Sequence, residues 1–243
     1  MRSTFQQLPA RLARRLSRLL PIPRLRLKAE HWIYLHLEDC EPELKNLISL
    51  LPPPSQRRTA IDIGANFGFY SLELQKYFDS TYAFEINPDV ARELAGLSQS
   101  IVVIAEGLSS QQGFTTLYIP VVANNSLTGW ASLHKENLPD AEHHIEVKVP
   151  INTLDHYQLT EVDFIKIDVE GHEKQVLRGA HETLVKNSPV LLIEVKEQNR
   201  LWVVDYLNEL GYGHVVYPFQ ALHGYHENHV FVKIDQSKTR EHL

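Results

Sequence analysis

Residues 60 to 70 read Ala60-Ile61-Asp62-Ile63-Gly64-Ala65-Asn66-Phe67-Gly68-Phe69-Tyr70. The run 59–63 is short and apolar, as a buried strand would be, and two glycines follow where the chain must reverse tightly into a helix. In open α/β sheets ligands sit at this first strand-to-helix turn, because the backbone there approaches a bound group closely. The spacing is Gly-x-x-x-Gly with Asp62 two residues upstream, so the Gly-x-Gly-x-x-Gly of a dinucleotide site is absent. A pyrophosphate would also meet the Asp62 carboxylate, which is electrostatically wrong for it.

Outward from this turn, strand and helix signals alternate. The pattern predicts a helix running to 78, a strand over 81–85, a helix over 88–97 with Asn87 as N-cap, and a strand over 101–105. After an insertion it resumes with a strand over 164–168, one helix over 172–187, a strand over 190–195 and a helix over 199–210 that Gly211 closes. Two last strands, about 214–217 and 230–234, are joined by too few residues for a crossover helix, so they should pair antiparallel. The expected fold class is α/β: a Rossmann-like, mostly parallel seven-stranded sheet with a C-terminal antiparallel hairpin. Class I methyltransferases have this plan, whereas dehydrogenases continue in parallel.

A cofactor bearing an ammonium and a sulfonium suits the acidic end of the first strand. The amides of Gly64, Ala65, Asn66 and Gly68, with Phe69 and Tyr70 opening the helix, lie where a methionyl carboxylate would be received. That describes S-adenosyl-L-methionine. Glu85 stands 21 residues after Gly64, where an acceptor-only carboxylate takes hydrogen bonds from both ribose hydroxyls, with Asn87 beside it. Glu106, Gly107 and Leu108 follow the third strand, where an adenine edge would lie.

The fourth strand ends in Asp163-Phe164-Ile165-Lys166-Ile167-Asp168-Val169-Glu170-Gly171-His172-Glu173, which crowds acid/base groups at the carboxyl edge of the sheet. Asp168, Glu170 and His172 are the catalytic candidates, with Asp168 also bordering the cofactor. The base is Asp168 or His172. The Asn/Asp-Pro-Pro-aromatic motif of enzymes that methylate amino groups of bases is missing, which favours an oxygen acceptor. Asp168, Glu170 and Glu194 also offer hard oxygen ligands for Mg²⁺, although the simpler reading holds no metal. The purely structural reading of Glu170 and His172 is helix capping. Residues 123–144 show no periodicity, as lids and binding loops often do not. There Asn124, Asn125 and Ser126 offer polar partners to a hydroxylated acceptor and Trp130 a face for stacking, with Glu194 on the same side.

DIGANFGFY at 62–70, FEINP at 84–88, the NTLD of Asn152 to Asp155 and VDFIKIDVEGHEKQVLRGA at 162–180 together resemble the FkbM family of methyltransferases over about residues 30 to 234. The joined phrase IDVEGHE is the specific part. Two positions depart from the family's usual pattern: FEINP stands where FEPxP is commoner, and GLSS follows the third strand where an Ala-Leu/Val-Ser-Asp type sequence is usual. The resemblance implies a class I fold, S-adenosylmethionine as donor, and O-methylation of sugars, glycans, glycolipids or polyketide-type products. The acceptor is therefore expected to be a small molecule or a glycan- or lipid-linked group. Alternatives that leave the fold intact are an N-methyltransferase acting on a small amine and a non-catalytic binding subunit.

Domain boundaries follow from composition. Residues 1–28 form a basic amphipathic arm, 29–58 a strand and helix cover with a proline-rich linker, and 59–243 the cofactor-binding domain with a lid-like insertion at 114–150. In the cover, Ile33, Leu35 and Leu37 alternate as a strand would, and Leu44, Leu47, Ile48 and Leu51 should share one helix face. The arm holds eight arginines and lysines and no acid, so the total of −6 leaves −14 for the remainder. Such an acidic body disfavours a nucleic-acid substrate. Phe5, Leu8, Leu12, Leu16 and Leu19 recur at helical spacing between the arginines, so residues 1–20 read either as a helix on an anionic membrane surface or as an arm packed on the body. Cys40 is the single cysteine, which excludes an intrachain disulfide and a radical iron–sulfur site. With no apolar span or signal-type core, the expected location is cytoplasmic.

Overall fold

The computed structural model describes residues 42–122, 125–126, 131–135, 141, 143–217 and 228–234, together with Ala29 and Trp32. The basic arm and the 33–37 alternation lie outside the described residues, as do Asn124 and Trp130. The chain begins with two short helices, α1 (Pro42–Lys45) and α2 (Leu47–Leu50), which bury Leu44, Leu47 and Leu50. Ile48 is not on that face; it is 59% exposed. The helix kinks at Asn46, which rotates the second turn and brings Leu50 inward instead.

The main sheet follows. Strand β1 (Thr59–Ile63) leads through the glycine turn to α3 (Phe69–Leu74), then β2 (Ser80–Phe84), α4 (Pro88–Ala95) and β3 (Ile101–Ile104). Asn87 caps α4 by accepting the Asp89 amide at 3.1 Å. From β3 the chain enters a second sheet of β4 (Gly107–Leu108), β5 (Gly113–Val122), β6 (Asn125–Ser126) and β7 (His143–Asn152). It returns through β8 (Val162–Ile167), α5 (Glu173–Gly179), α6 (His181–Asn187), β9 (Val190–Glu194), α7 (Glu197–Glu209) and the hairpin β10 (Tyr212–Val215) and β11 (Asn228–Lys233).

The seven strands order as β10-β11-β9-β8-β1-β2-β3, parallel except for β11. This is the mostly parallel sheet with an antiparallel hairpin that the sequence predicts. Both faces are covered, so alternate residues of each strand enter different cores. Ile61, Ile63, Ile165, Ile167, Leu191 and Ile193 pack with α5, α6 and α7, whereas Ala60, Phe164 and Leu192 pack with α1, α2 and α3. Strand order reverses between β1 and β8, which opens the crevice where ligands of such sheets sit.

The region 114–150 reads from sequence as a lid-like insertion, aperiodic over 123–144, yet β5 and β7 pair antiparallel from Gly113↔Ile151 to Val121↔His143. The parallel pairing of β4 with β7 joins this second sheet to the carboxyl edge of the first. The NTLD segment serves that junction. The Asp155 carboxylate accepts the amides of Glu182 and Thr183 at 3.0 and 2.8 Å and so caps α6.

The single helix expected over 172–187 is broken at Ala180. Ala180 leaves the helical region at φ −109°, ψ 7°, and just before it Gly179 packs so closely that a Cβ there would lie 2.0 Å from the Ser109 carbonyl oxygen. The helix end is thus pressed directly on the strand that leads into the second sheet. Alanine normally stabilises a helical position by about 0.5–1 kcal/mol over glycine. Against an unyielding backbone oxygen, overpacking of about 1–3 kcal/mol wins. Gly179→Ala should therefore lower the urea midpoint, while Gly113→Ala, with nothing within 4 Å, should change stability by less than about 0.5 kcal/mol. Equal midpoints for the two variants would contradict this contact.

Candidate functional site

Two adjoining cavities lie at the crevice. The first, about 690 Å³ with its opening to solvent, brings together Gly64, Asn66, Glu85, Glu106, Gly107, Leu108, Asp168, Glu170 and His172 from the sequence candidates. Ile86, Leu117, Ala131, Ser132 and Leu133 complete its wall. The second, about 490 Å³, is lined by Asp62, Ala65, Phe69 and Tyr70, with Leu44, Phe67 and Lys166. The two meet at Gly64, Asn66 and Asp168. Gly68 and Asn87 line neither. Gly68 precedes α3 as its N-cap, and the Asn87 amide supports Glu85 from behind. Asn125 and Ser126 form β6 at the far end of the second sheet.

Glu85 follows β2 and is 6% exposed. Each carboxylate oxygen accepts one backbone amide, from Asn66 at 2.7 Å and from Asn87 at 2.8 Å. These two bonds fix the carboxylate's plane and leave a second lone pair on each oxygen for a ligand. Burial pushes the Glu85 carboxyl up to about 7, against the two amide hydrogen bonds. Asp62 is buried at the end of β1, accepts Ser71 Oγ at 2.5 Å, and is pushed up to about 6 by burial. Asn66 adds an unpaired acceptor, since its buried Oδ1 has no protein partner.

The glycine-turn amides are differently employed from the sequence expectation. Gly64 and Ala65 both donate to the Phe84 carbonyl at 2.9 and 3.0 Å, Asn66 to Glu85, and Gly68 to the Ala65 carbonyl at 2.7 Å. Four of the amides cast as carboxylate receivers are thus spent on holding the turn.

On the acceptor side, Asp168 extends β8 and is about one-third exposed. Glu170 sits at φ 47°, in the left-handed region, and its Oε2 lies 3.0 Å from Lys196 Nζ. The same ammonium reaches Glu194 Oε1 at 3.0 Å. Burial, then the nearby Asp168 charge, holds the Glu194 carboxyl well above the ordinary carboxylate range. Asp168, Glu170 and Glu194 offer oxygens within 4.8 Å of one another, which matches a hard-cation donor set. The Lys196 ammonium already bridges two of the three, so positive charge is supplied from within the protein.

His172 is buried, and both ring nitrogens are engaged. Nε2 lies 3.0 Å from Ser109 Oγ, and Nδ1 lies 3.1 Å from His134 Nε2. Burial, with His134 adding to it, lowers its pKa to about 4, so the ring is neutral near pH 7. It makes no side-chain cap to α5. The turn itself is held by Glu173, which accepts the Gly171 amide at 2.8 Å and a hydrogen bond from Asn199 Nδ2. Ser132 ties the second sheet to this turn by donating to the Glu170 carbonyl at 3.0 Å.

Lys166, Lys196 and Ser109 were not singled out from the sequence, and His134 was seen only as one of the polar residues of the 123–144 stretch. Lys166 had a local signal, being a charge between Ile165 and Ile167 in a buried strand. Lys196 stands two residues after Glu194, a spacing with no helical or catalytic signature. Ser109 and His134 reach His172 from elements 63 and 38 residues away, which no local pattern encodes.

A mostly parallel seven-stranded sheet ending in an antiparallel hairpin, with an acidic glycine turn at its switch point, defines a class I methyltransferase fold. A model of the Methyltransferase FkbM domain matches residues 62–223, about two-thirds of the chain, and the chain belongs to the FkbM methyltransferase family. No curated protein matches. Among solved structures, an FkbM methyltransferase from Methylobacillus flagellatus KT is 15% identical with a TM-score of 0.49, over 93% of this chain and 59% of that one. The chain thus spans 59% of that relative's length. An rRNA methylase from Streptococcus thermophilus is 13% identical, TM-score 0.45, over 82% and 99% of the two chains. The TrmK protein of M. capricolum, solved with S-adenosyl-homocysteine, is 13% identical, TM-score 0.36, over 80% and 68%. No helix among the described residues is long and apolar enough to cross a membrane.

A histidine held neutral in the fold makes stability sensitive to acid. Between the unfolded value near 6.5 and the folded value near 4, the unfolded chain binds the extra proton, so stability falls as pH drops through that window. The full effect approaches about 3 kcal/mol. His172→Gln keeps both hydrogen-bonding positions and removes this titration, so its urea midpoint should fall less than wild type between pH 7 and pH 5. Parallel curves would remove His172 as the acid-sensitive group.

Proposed function

We propose that the chain transfers the methyl group of S-adenosyl-L-methionine to a hydroxyl of a sugar, glycan, glycolipid or related product. One observation carries the cofactor assignment: a buried carboxylate, Glu85, oriented by two amides, beside the unpaired Asn66 Oδ1 and the acidic end of β1. Acceptors converging on one crevice suit a ligand whose polar groups are ribose hydroxyls and an ammonium. Glu85 would take the ribose, Glu106, Gly107 and Leu108 the adenine side, and Asp62 and Asn66 the amino-acid end. When bound, the cofactor supplies a methyl carbon activated by an adjacent sulfonium. Asp168 stands where the two cavities meet, and we assign it as the base. The Asp168 carboxylate would take the proton of the acceptor hydroxyl as that oxygen is methylated. His172, with both nitrogens engaged, orients the surrounding segments, and Glu170 is held by Lys196.

With a free-protein Glu85 carboxyl titrating at about 7, ribose binding must compete with its proton. Affinity for S-adenosylhomocysteine should rise about tenfold from pH 6 to pH 8 and then level off. Glu85→Gln should flatten the profile. A wild-type calorimetric profile that is already flat over this range would take Glu85 out of the site.

Asp168→Asn should keep S-adenosylhomocysteine affinity within several-fold while turnover falls about 10²- to 10⁴-fold, the usual cost of losing a base. Hydroxyl and amine acceptors assayed in parallel test the oxygen preference. EDTA should leave wild-type turnover unchanged; inactivation reversed by Mg²⁺ would transfer the role of Asp168, Glu170 and Glu194 to metal binding.

A further inference from the structure

Lys166 is a full charge in the middle of the apolar strand β8, with 1% of its side chain exposed. Its Cα partner across the parallel pair is Asp62, so the two side chains leave neighbouring strands on the same face. The ammonium lies 3.6 Å from Asp168 Oδ2 and 5.1 Å from the centre of the Tyr70 ring. All four residues line the second cavity. A buried lysine is costly unless it is paired; Asp168 provides the pairing here, the Ile167 carbonyl lies 3.5 Å from the ammonium, and the Lys166 charge also acts on Asp62. Two carboxylates and one ammonium leave the cavity with a net charge of −1.

We infer that Lys166 is the anchor for the α-carboxylate of the cofactor's amino-acid tail, with Asp62, Asp168 and Asn66 Oδ1 taking the α-ammonium. This rests on the proposed S-adenosylmethionine binding and assigns one of its contacts. Two observations carry it. The first is that the usual receiver is already engaged: Gly64, Ala65, Asn66 and Gly68 donate their amides inside the turn, and α3 spans only six residues, too short to add much dipole. The second is charge matching. The tail is a zwitterion next to a sulfonium, +1 in all, and the cavity wall presents both signs with an excess of one negative charge. Among the described residues, Lys166 is the only cationic side chain lining this cavity. A lysine in this place is a binding and positioning residue.

The test separates the tail from the nucleoside. S-adenosylhomocysteine, its decarboxylated counterpart and 5′-methylthioadenosine share adenine, ribose and thioether, and differ in the carboxylate and then in the whole tail. Wild type should bind S-adenosylhomocysteine at least tenfold more tightly than the decarboxylated compound by calorimetry. Lys166→Met should lose at least tenfold for S-adenosylhomocysteine while affinity for 5′-methylthioadenosine stays within about threefold, and Lys166→Arg should restore most of the difference. Equal losses for all three ligands would make Lys166 a structural residue and overturn the assignment. An unchanged preference for the carboxylate in Lys166→Met would do the same, by placing the carboxylate elsewhere. If Lys166→Met does not fold, wild type and Lys166→Gln decide: indifference of wild type to the carboxylate sinks the inference, and so does an unchanged preference for the carboxylate in Lys166→Gln. Failure of wild type to bind any of the three would instead reject the cofactor reading itself.

Discussion

Everything at the site depends on how closely two strand ends approach. Gly64, at φ 78°, lies against the Asp168 carbonyl so tightly that a Cβ would stand 1.7 Å from that oxygen. Only a residue without a side chain permits this contact. Because of it, the turn after β1 and the turn after β8 share a boundary, and the cavities on either side open onto the same three residues. The two cavities thereby become neighbours without any loop having to reach across. The proposed methyl transfer needs that adjacency, because donor carbon and acceptor oxygen must stand in line.

Charge is organised around the same boundary. Asp62, Asp168 and Glu194 would repel one another if bare, and burial, with the Asp168 charge adding to it, raises the first and the last above the ordinary carboxylate range. Lys166 and Lys196 are interleaved with them, one beside Asp168 and one bridging Glu170 and Glu194. Removing one member of such a network leaves a buried charge uncompensated, so the positions are coupled. Glu173 and Asn199 carry out a different task beneath, holding the left-handed turn at Glu170 and Gly171 in shape.

The sheet was legible because its signals are local. Apolar runs of four to six residues, an asparagine–proline helix start and glycines at turns each declare an element within a few residues, and their order implies the topology. Asp62, Glu85 and Asp168 were readable for the same reason, since each closes or follows a strand. The second sheet was legible only in part. The alternation of Ile145, Val147, Val149 and Ile151 with Glu146 and Lys148 was a strand signal that went unread, and the outer four residues of β7 are exposed, so burial there does not follow the pattern; its partner β5 lies across a long intervening stretch that no local signal assigns. Engagement of the turn amides was also hidden, because their acceptors, the Phe84 carbonyl and the Glu85 carboxylate, lie on the neighbouring strand and just beyond it. His172 looked like a base because a histidine near a strand end usually has an open nitrogen; Ser109 and His134 come from distant elements to occupy both.

The segment 131–135 is fastened at both ends of its reach. Ser132 exchanges backbone hydrogen bonds with Tyr118 of β5 at 2.9 and 3.1 Å, while its hydroxyl grips the 170–172 turn and His134 grips His172. Ala131, Ser132 and Leu133 meanwhile wall the cavity that holds Glu85. The insertion is therefore not an independent module. Exchanging it alone would take away the hydroxyl on the Glu170 carbonyl and the imidazole on His172, so this wall and the turn after β8 form one packed unit assembled from discontinuous parts of the chain.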